Sequence, residues 1–252
     1  YNILRREFSN ISLDLIFGLP GQTLESLSRT LDAFIDMRPE HISAYSLMYE
    51  ERTALTGLRD SGRITEIDEE DSVAMFRLIT DRLCKAGYER YEISNYSLPG
   101  FRSRHNSNYW QGIPYIGLGP GAHSYDGERL RSYNMPDLKR YIDIYGGEMV
   151  EEKQEKQREK YVEGYCVDGY IETEELSLNE LREEMLLTRL RTIEGLSLIE
   201  YRDRFGDKHF EELMRRIEVF IKNGTLYSPA EGYIALTEEG VMISDEIMAS
   251  LF

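Results

Sequence analysis

Ser12-Leu13-Asp14-Leu15-Ile16-Phe17-Gly18-Leu19-Pro20-Gly21-Gln22-Thr23 decides the architecture of this chain. From Ile11 to Phe17 the residues alternate and then run apolar, as in a strand buried on both faces, and Gly18-Leu19-Pro20-Gly21 ends that strand. A helix follows: Thr23 is a good N-cap, Ser26 stands in the first turn, and Leu24, Leu27, Leu31, Phe34 and Ile35 recur at helical spacing. Further along, His41 to Met48 reads as the next strand, Asp68 to Ala86 as a helix closed by Gly87, and Arg90 to Ile93 as another strand. Strands alternating with helices predict βαβ units and a parallel sheet, hence an α/β fold. About three such strands precede residue 125, too few for a closed eight-stranded barrel. Either the sheet is small and open, or earlier strands lie before Tyr1. The second reading is preferred, because Tyr1-Asn2-Ile3-Leu4-Arg5-Arg6 lacks an initiating methionine, already carries a helical apolar pattern, and reads as cut from a longer chain.

Pro136 opens a short helix through about Tyr145. The charge-rich run from Val150 to Lys160 is a linker or a solvated helix face. Beyond it, Asn179 to Thr192, Leu198 to Phe205 and His209 to Asn223 read as three amphipathic helices. Thr225 to Tyr227 and Tyr233 to Leu236 make a hairpin through Pro229-Ala230-Glu231-Gly232, and a last helix follows Thr237. Three helices, a β-wing and a closing helix predict a winged-helix-like module. The expected division is residues 1–149 as part of a barrel, 150–172 as a charged linker, and 173–252 as the helical module.

With 252 residues the chain needs no disulfide staples, and its two cysteines make no cluster-ligand spacing. Cys84 lies in the apolar-periodic stretch Val73-Met75-Phe76-Leu78-Ile79-Leu83 and is expected to be a small buried hydrophobe. Cys166 has no obvious partner. A net charge of -16 and a pI near 4.8 argue against nucleic acid as a partner. No apolar run approaches the ~20 residues of a bilayer span, and no signal peptide opens the chain, so a cytoplasmic protein is expected.

The chemistry is concentrated in His105-Asn106-Ser107-Asn108-Tyr109-Trp110, which holds one of four histidines and the only tryptophan. The run sits in a long irregular stretch after Asn95 and is followed by Gly117-Leu118-Gly119-Pro120-Gly121-Ala122-His123-Ser124. Imidazole is a common metal ligand and an axial ligand for haem iron, so one reading is a site. The other is a surface loop whose Asn and Ser residues satisfy their own turns, anchored by Tyr109 and Trp110. These residues alone leave both open.

Ser12 to Thr23, His105 to Trp110, Gly117 to Ser124 and Leu187-Thr188-Arg189-Leu190-Arg191-Thr192-Ile193-Glu194-Gly195 together resemble the radical S-adenosylmethionine proteins related to oxygen-independent coproporphyrinogen III oxidase. The HNxxYW signature places the resemblance in the HemW-type haem-chaperone branch. It covers essentially the whole chain, as the C-terminal two thirds of the family's length. It implies part of a (β/α)6 TIM-like barrel followed by a small helical domain, with a [4Fe-4S] cluster on a CxxxCxxC loop and S-adenosylmethionine across the strand ends. That loop is absent here, so this chain carries no cluster ligands.

By the same resemblance the Asp14 carboxylate accepts hydrogen bonds from the cofactor's ribose, a task that suits an acceptor-only group. Without the resemblance, Asp14 reads as an Asx-type loop contact. Ile16 projects from the same side of the strand. Met48 and His123 align with positions that pack on the cofactor's adenosine, although core packing is the default for Met and the oxidase has an aliphatic residue at the place of His123. His105 is the expected haem-iron ligand, with Asn106, Asn108 and Tyr109 around it and Trp110 stacking on or shielding the porphyrin. Arg102 and Arg104 are either propionate partners or surface charge. The function implied is a haem chaperone that passes haem to an unidentified acceptor protein, a homodimer being compatible with it. The alternatives are an enzyme that decarboxylates coproporphyrinogen III propionates, or an interaction module docking through its winged end. No catalytic residue is assigned.

Overall fold

The computed structural model describes residues 1–145 and 170–252. A short helix α1 (Leu4–Glu7) leads into strand β1 (Ser12–Phe17) and helix α2 (Leu24–Met37). As expected, Thr23 caps α2: its side chain accepts from the Ser26 N–H while the Ser26 hydroxyl accepts from the Thr23 N–H. In the preceding loop the Gln22 carboxamide accepts from the Gly18 N–H at 2.8 Å. Strand β2 (His41–Ser46) pairs in parallel with β1, placing Asp14 opposite Ser43 and Ile16 opposite Tyr45. Helix α3 (Ala54–Asp60) follows, then α4 (Glu69–Lys85), whose first turn is capped by Asp68.

Leu15, Phe17 and Ile42 point to the helix side of this sheet and are buried against Leu27 and Leu31 of α2 and Met75, Ile79 and Leu83 of α4. Each such side chain contributes roughly 1.5–3 kcal/mol on burial, enough to fix which face of β1 looks outward. Ser12, Asp14 and Ile16 therefore lie on the opposite, open face.

The third strand differs from expectation. The chain forms β3 (Glu89–Arg90) and β4 (Asn95–Ser97), and β4 runs antiparallel to both β2 and β3, giving the order β1-β2-β4-β3 and a mixed sheet. The cause is local: the Glu92 carboxylate accepts from the Ser94 N–H at 2.9 Å and from the Asn95 amide, which turns the chain back on itself. Tyr91 to Ile93 then bond to a distant segment, with Ile93 N–H to the Arg191 carbonyl at 3.1 Å and Ile193 N–H to the Tyr91 carbonyl at 3.2 Å.

After helix α5 (Arg104–Trp110), strands β5 (His123–Tyr125) and β6 (Leu130–Asn134) form a hairpin closed by Asp126, whose Oδ1 accepts from the N–H groups of Glu128, Arg129 and Leu130. Helix α6 (Leu138–Tyr145) is the one opened after Pro136. Strand β7 (Ile171–Glu175) then pairs antiparallel with β6. Ile171 and Glu172, assigned to the linker by sequence, are thus part of this sheet; Cys166 and residues 150–169 of that linker lie outside the described residues.

The C-terminal unit follows the sequence closely. Helix α7 (Leu178–Leu190) begins with a capping box of Ser177 and Glu180. Helix α8 (Leu198–Lys222) is broken at Gly206, between the two helices expected there. Strands β8 (Leu196–Ser197), β9 (Leu226–Tyr227) and β10 (Tyr233–Leu236) make the wing, and α9 (Glu238–Met242) and α10 (Ser244–Ser250) close it. Its core is built on Leu186, Leu190, Leu196, Tyr201, Leu213 and Ile217, and Tyr125 of β5 belongs to it.

Cys84 is a correction: it is exposed rather than buried. The buried stripe of α4 passes through Met75, Ile79 and Leu83, and one further residue turns the side chain by ~100° onto the flank. Among the described residues no helix is long and apolar enough to cross a membrane.

Candidate functional site

The run His105 to Trp110 is helical, not irregular. Ser103 caps α5, its hydroxyl accepting from the Asn106 N–H at 3.3 Å. Helical spacing then divides the run between two faces. Arg104, His105, Asn108 and Tyr109 are exposed; Asn106, Ser107 and Trp110 turn inward and are half-buried.

On the outer face the His105 imidazole meets the Tyr109 ring edge-on, at 4.9 Å between centroids. The aromatic series continues from Tyr109 to Tyr115 at 4.5 Å and from Tyr115 to Tyr125 at 6.2 Å. Neither imidazole nitrogen of His105 is hydrogen-bonded among the described residues, so both are open to a ligand. Asn108 lies on the same face and Asn106 does not. Trp110 is likewise on the other side of the helix from His105, under the Arg191 guanidinium at 4.8 Å. Its indole N–H is buried without an acceptor among the described residues.

Arg102 is ion-paired to Glu194 at 2.6 Å and to Glu89 at 3.6 Å, and it also stacks over Tyr91. Arg104 has no ion pair among the described residues. His123 stacks on Tyr133 across the hairpin at 5.3 Å and lines a cleft of about 380 Å³ with Tyr109 and Trp110.

A second group gathers at the other sheet. Asp14 is exposed and Ile16 half-exposed on the open face of β1, while Met48, 71% exposed, follows the C-terminal end of β2. In parallel α/β sheets this end is where ligands bind. His123 thus joins the α5 residues, whereas Asp14 and Ile16 share the open face of β1, Asp14 at mid-strand, and Met48 lies two residues beyond the end of β2.

Sequence reasoning missed the connection between these regions. His41, buried at the start of β2, takes a 2.8 Å hydrogen bond with the Ser12 hydroxyl at Nδ1 and another at 2.8 Å with the Tyr91 hydroxyl at Nε2. The Tyr91 hydroxyl also faces the Asn106 side chain of α5, and burial pushes its pKa up to about 12. Nothing local to residues 41 or 91 announces the pairing. Burial lowers the His41 pKa, partly opposed by the Asp14 charge. The folded chain therefore holds His41 neutral while the unfolded chain protonates it first. Its stability is complete above the ordinary imidazole value and declines as the pH falls below it. Thermal denaturation of His41→Gln should accordingly show a shallower loss of Tm from about pH 7 to about pH 5 than the native chain.

Residues 176–243 match the HemN C-terminal domain. The haem chaperone HemW of Bacillus subtilis is 31% identical over 243 residues, a match covering 96% of this chain and 59% of that protein. The chain is similar to the HemW proteins over nearly all of its own length. HemW of Mycobacterium tuberculosis is 31% identical over 97% of the chain and 55% of its own length, and HemW of Escherichia coli 27% identical over 95% and 57%. The chain therefore spans less than three fifths of the length of these HemW relatives. The solved structure of Escherichia coli coproporphyrinogen III oxidase (HemN), a radical SAM enzyme, matches 98% of the chain and 56% of its own chain, with a TM-score of 0.68 and 16% identity. The mixed α/β fold is thus that of part of the HemN radical SAM structure.

Proposed function

We propose that this chain is the haem-holding part of a haem chaperone, with the iron ligated by His105. The observation that carries the reading is the open imidazole of His105 on the exposed face of α5, edge-on to Tyr109 and beside an aromatic-lined cleft. Neutral imidazole donates a lone pair to iron, and an exposed ring reaches a bulky planar ligand without displacing core side chains. The similarity to HemW over nearly the whole chain supports the same reading.

S-adenosylmethionine fits the second group. The Asp14 carboxylate on the open face of β1 would accept hydrogen bonds from a ribose, and Ile16 on the same face and Met48 beyond the end of β2 would supply apolar surface. When bound, the cofactor supplies a sulfonium centre for radical chemistry; this chain's residues would orient it. An iron–sulfur cluster finds no fit among the described residues, which contain no group of three or more metal-binding side chains, and Cys84 is single and free.

An anaerobic optical titration with haem tests the proposal. The native protein is expected to saturate with a Soret shift, and His105→Ala to lose saturable binding with its circular dichroism unchanged, since the imidazole is exposed. Equal binding by the two proteins would overturn the assignment.

A further inference from the structure

The geometry points to the cleft beside α5 as the seat of the macrocycle's carboxylated edge, with Arg131, Arg189 and Arg204 meeting its propionates; this rests on the haem reading above. The cleft measures about 380 Å³, small for a whole macrocycle but sufficient for one edge of it. One wall is aromatic, made by Tyr109, Trp110, Tyr115 and Tyr125, and Tyr109 is the ring that His105 touches. A flat ligand bound at His105 therefore has its next contact in this wall.

Charge lies beside these rings: Arg131 pairs with Tyr125 across the β5–β6 hairpin and covers its ring at 5.9 Å. Arg131, Arg189 and Arg204 line the cleft against a single carboxylate, Glu184. With Glu184 on Arg131 and Glu200 on Arg189, Arg204 has no ion pair among the described residues and leaves one positive charge in surplus, which in a chain of net charge -16 favours an anion. The cleft on the opposite side of Trp110 has no such excess, because Arg102 and Arg189 are balanced there by Glu194 and Glu200.

Two buried donors among the lining residues have no acceptor among the described residues: Nε of Arg131 and Nε1 of Trp110. Such donors are uncommon in folded proteins, and both belong to residues that line this cleft. Arg131 is held at 2.6 Å by Glu184, whose pKa is raised by burial, so a propionate competes with a carboxylate that is itself poorly placed to stay charged. Arg204 donates to the Glu128 carbonyl at 3.2 Å and Arg189 is shared with Glu200 at 3.0 Å; both guanidiniums keep donors to spare. Arg102, read from sequence as either a propionate partner or surface charge, is held by Glu194 and Glu89.

The test compares haem with its dimethyl ester, which has the same ring and iron but no carboxylates. The native protein is expected to bind haem about tenfold more tightly than the ester, the ratio of one charge-assisted hydrogen bond. Arg131→Gln and Arg204→Gln should cut that ratio several-fold with ester affinity unchanged, and Glu184→Gln should increase it, a gain that misfolding cannot imitate. Should Arg131→Gln fail to fold by circular dichroism, the exposed Arg204 and the Glu184 variant carry the comparison. Equal affinity for haem and ester in the native protein, or a ratio unmoved in these variants, overturns the cleft while leaving His105 ligation standing. Binding of both ligands that survives His105→Ala overturns the ligation instead, and absence of binding overturns both.

Discussion

Gly195→Ala is expected to destabilise the fold by about 2–5 kcal/mol, the sum of an unfavourable backbone conformation and an overpacked contact. Gly195 closes the turn between α7 and β8 with φ of 76°, and a Cβ there would stand 2.1 Å from the Ile234 carbonyl oxygen and 2.8 Å from the Ala235 Cβ. Both obstacles belong to β10, which pairs with β8 through Ile234 and Leu196. The clash therefore pushes apart the wing strands rather than a flexible side chain. A domain stability of about 5–15 kcal/mol leaves little after such a loss. Gly224→Ala is the control, since its φ of 80° carries the backbone cost but nothing lies within 4 Å of the added carbon. Denaturant titration should find Gly195→Ala the more damaging by at least ~1 kcal/mol. Equal losses would show that the β8–β10 contact is not as tight as described.

The second large effect lies at the junction of the two units. Arg191 stands 3.4 Å from the fully buried Glu92 carboxylate and covers the Trp110 ring. Glu92 is also fixed by the Ser94 and Asn95 donors and sits in the segment that bonds to the Arg191 and Ile193 backbone. Arg191→Met keeps much of the apolar stem but leaves that carboxylate in the interior without a cation, a change expected to cost about 3 kcal/mol. This is the lower end of the range for broken buried pairs, because the guanidinium is partly open to water. Adding Glu92→Gln should recover most of the loss, since the amide still accepts the Ser94 N–H without a buried charge. Stability of the double variant no better than that of Arg191→Met would place the cost in lost packing on Trp110 instead.

What the sequence made legible was local. The strand ending in Gly18, the helix begun by Thr23, the helix from Asp68 and the winged unit each carry their own caps and periodicity within a few residues. The reversal at Glu92 and the β5-β6-β7 sheet depend on pairing between distant segments, such as Tyr133 with Glu172, which no local pattern records. The site divides in the same way. The dense run from His105 to Trp110 stood out in one dimension, but its division into two helical faces required the Ser103 cap to be recognised. Arg131, Arg189 and Arg204 come from three separate elements and are interleaved with acids, so their convergence was invisible in sequence.

Resonance Raman spectroscopy of the ferrous haem complex tests the central claim most directly, because the iron–histidine stretch reports the axial bond itself. The band is expected in the native protein, absent in His105→Ala, restored there by added imidazole, and retained in His123→Ala. An undiminished band in His105→Ala, or its loss in His123→Ala alone, would contradict the assignment of His105 as the haem ligand.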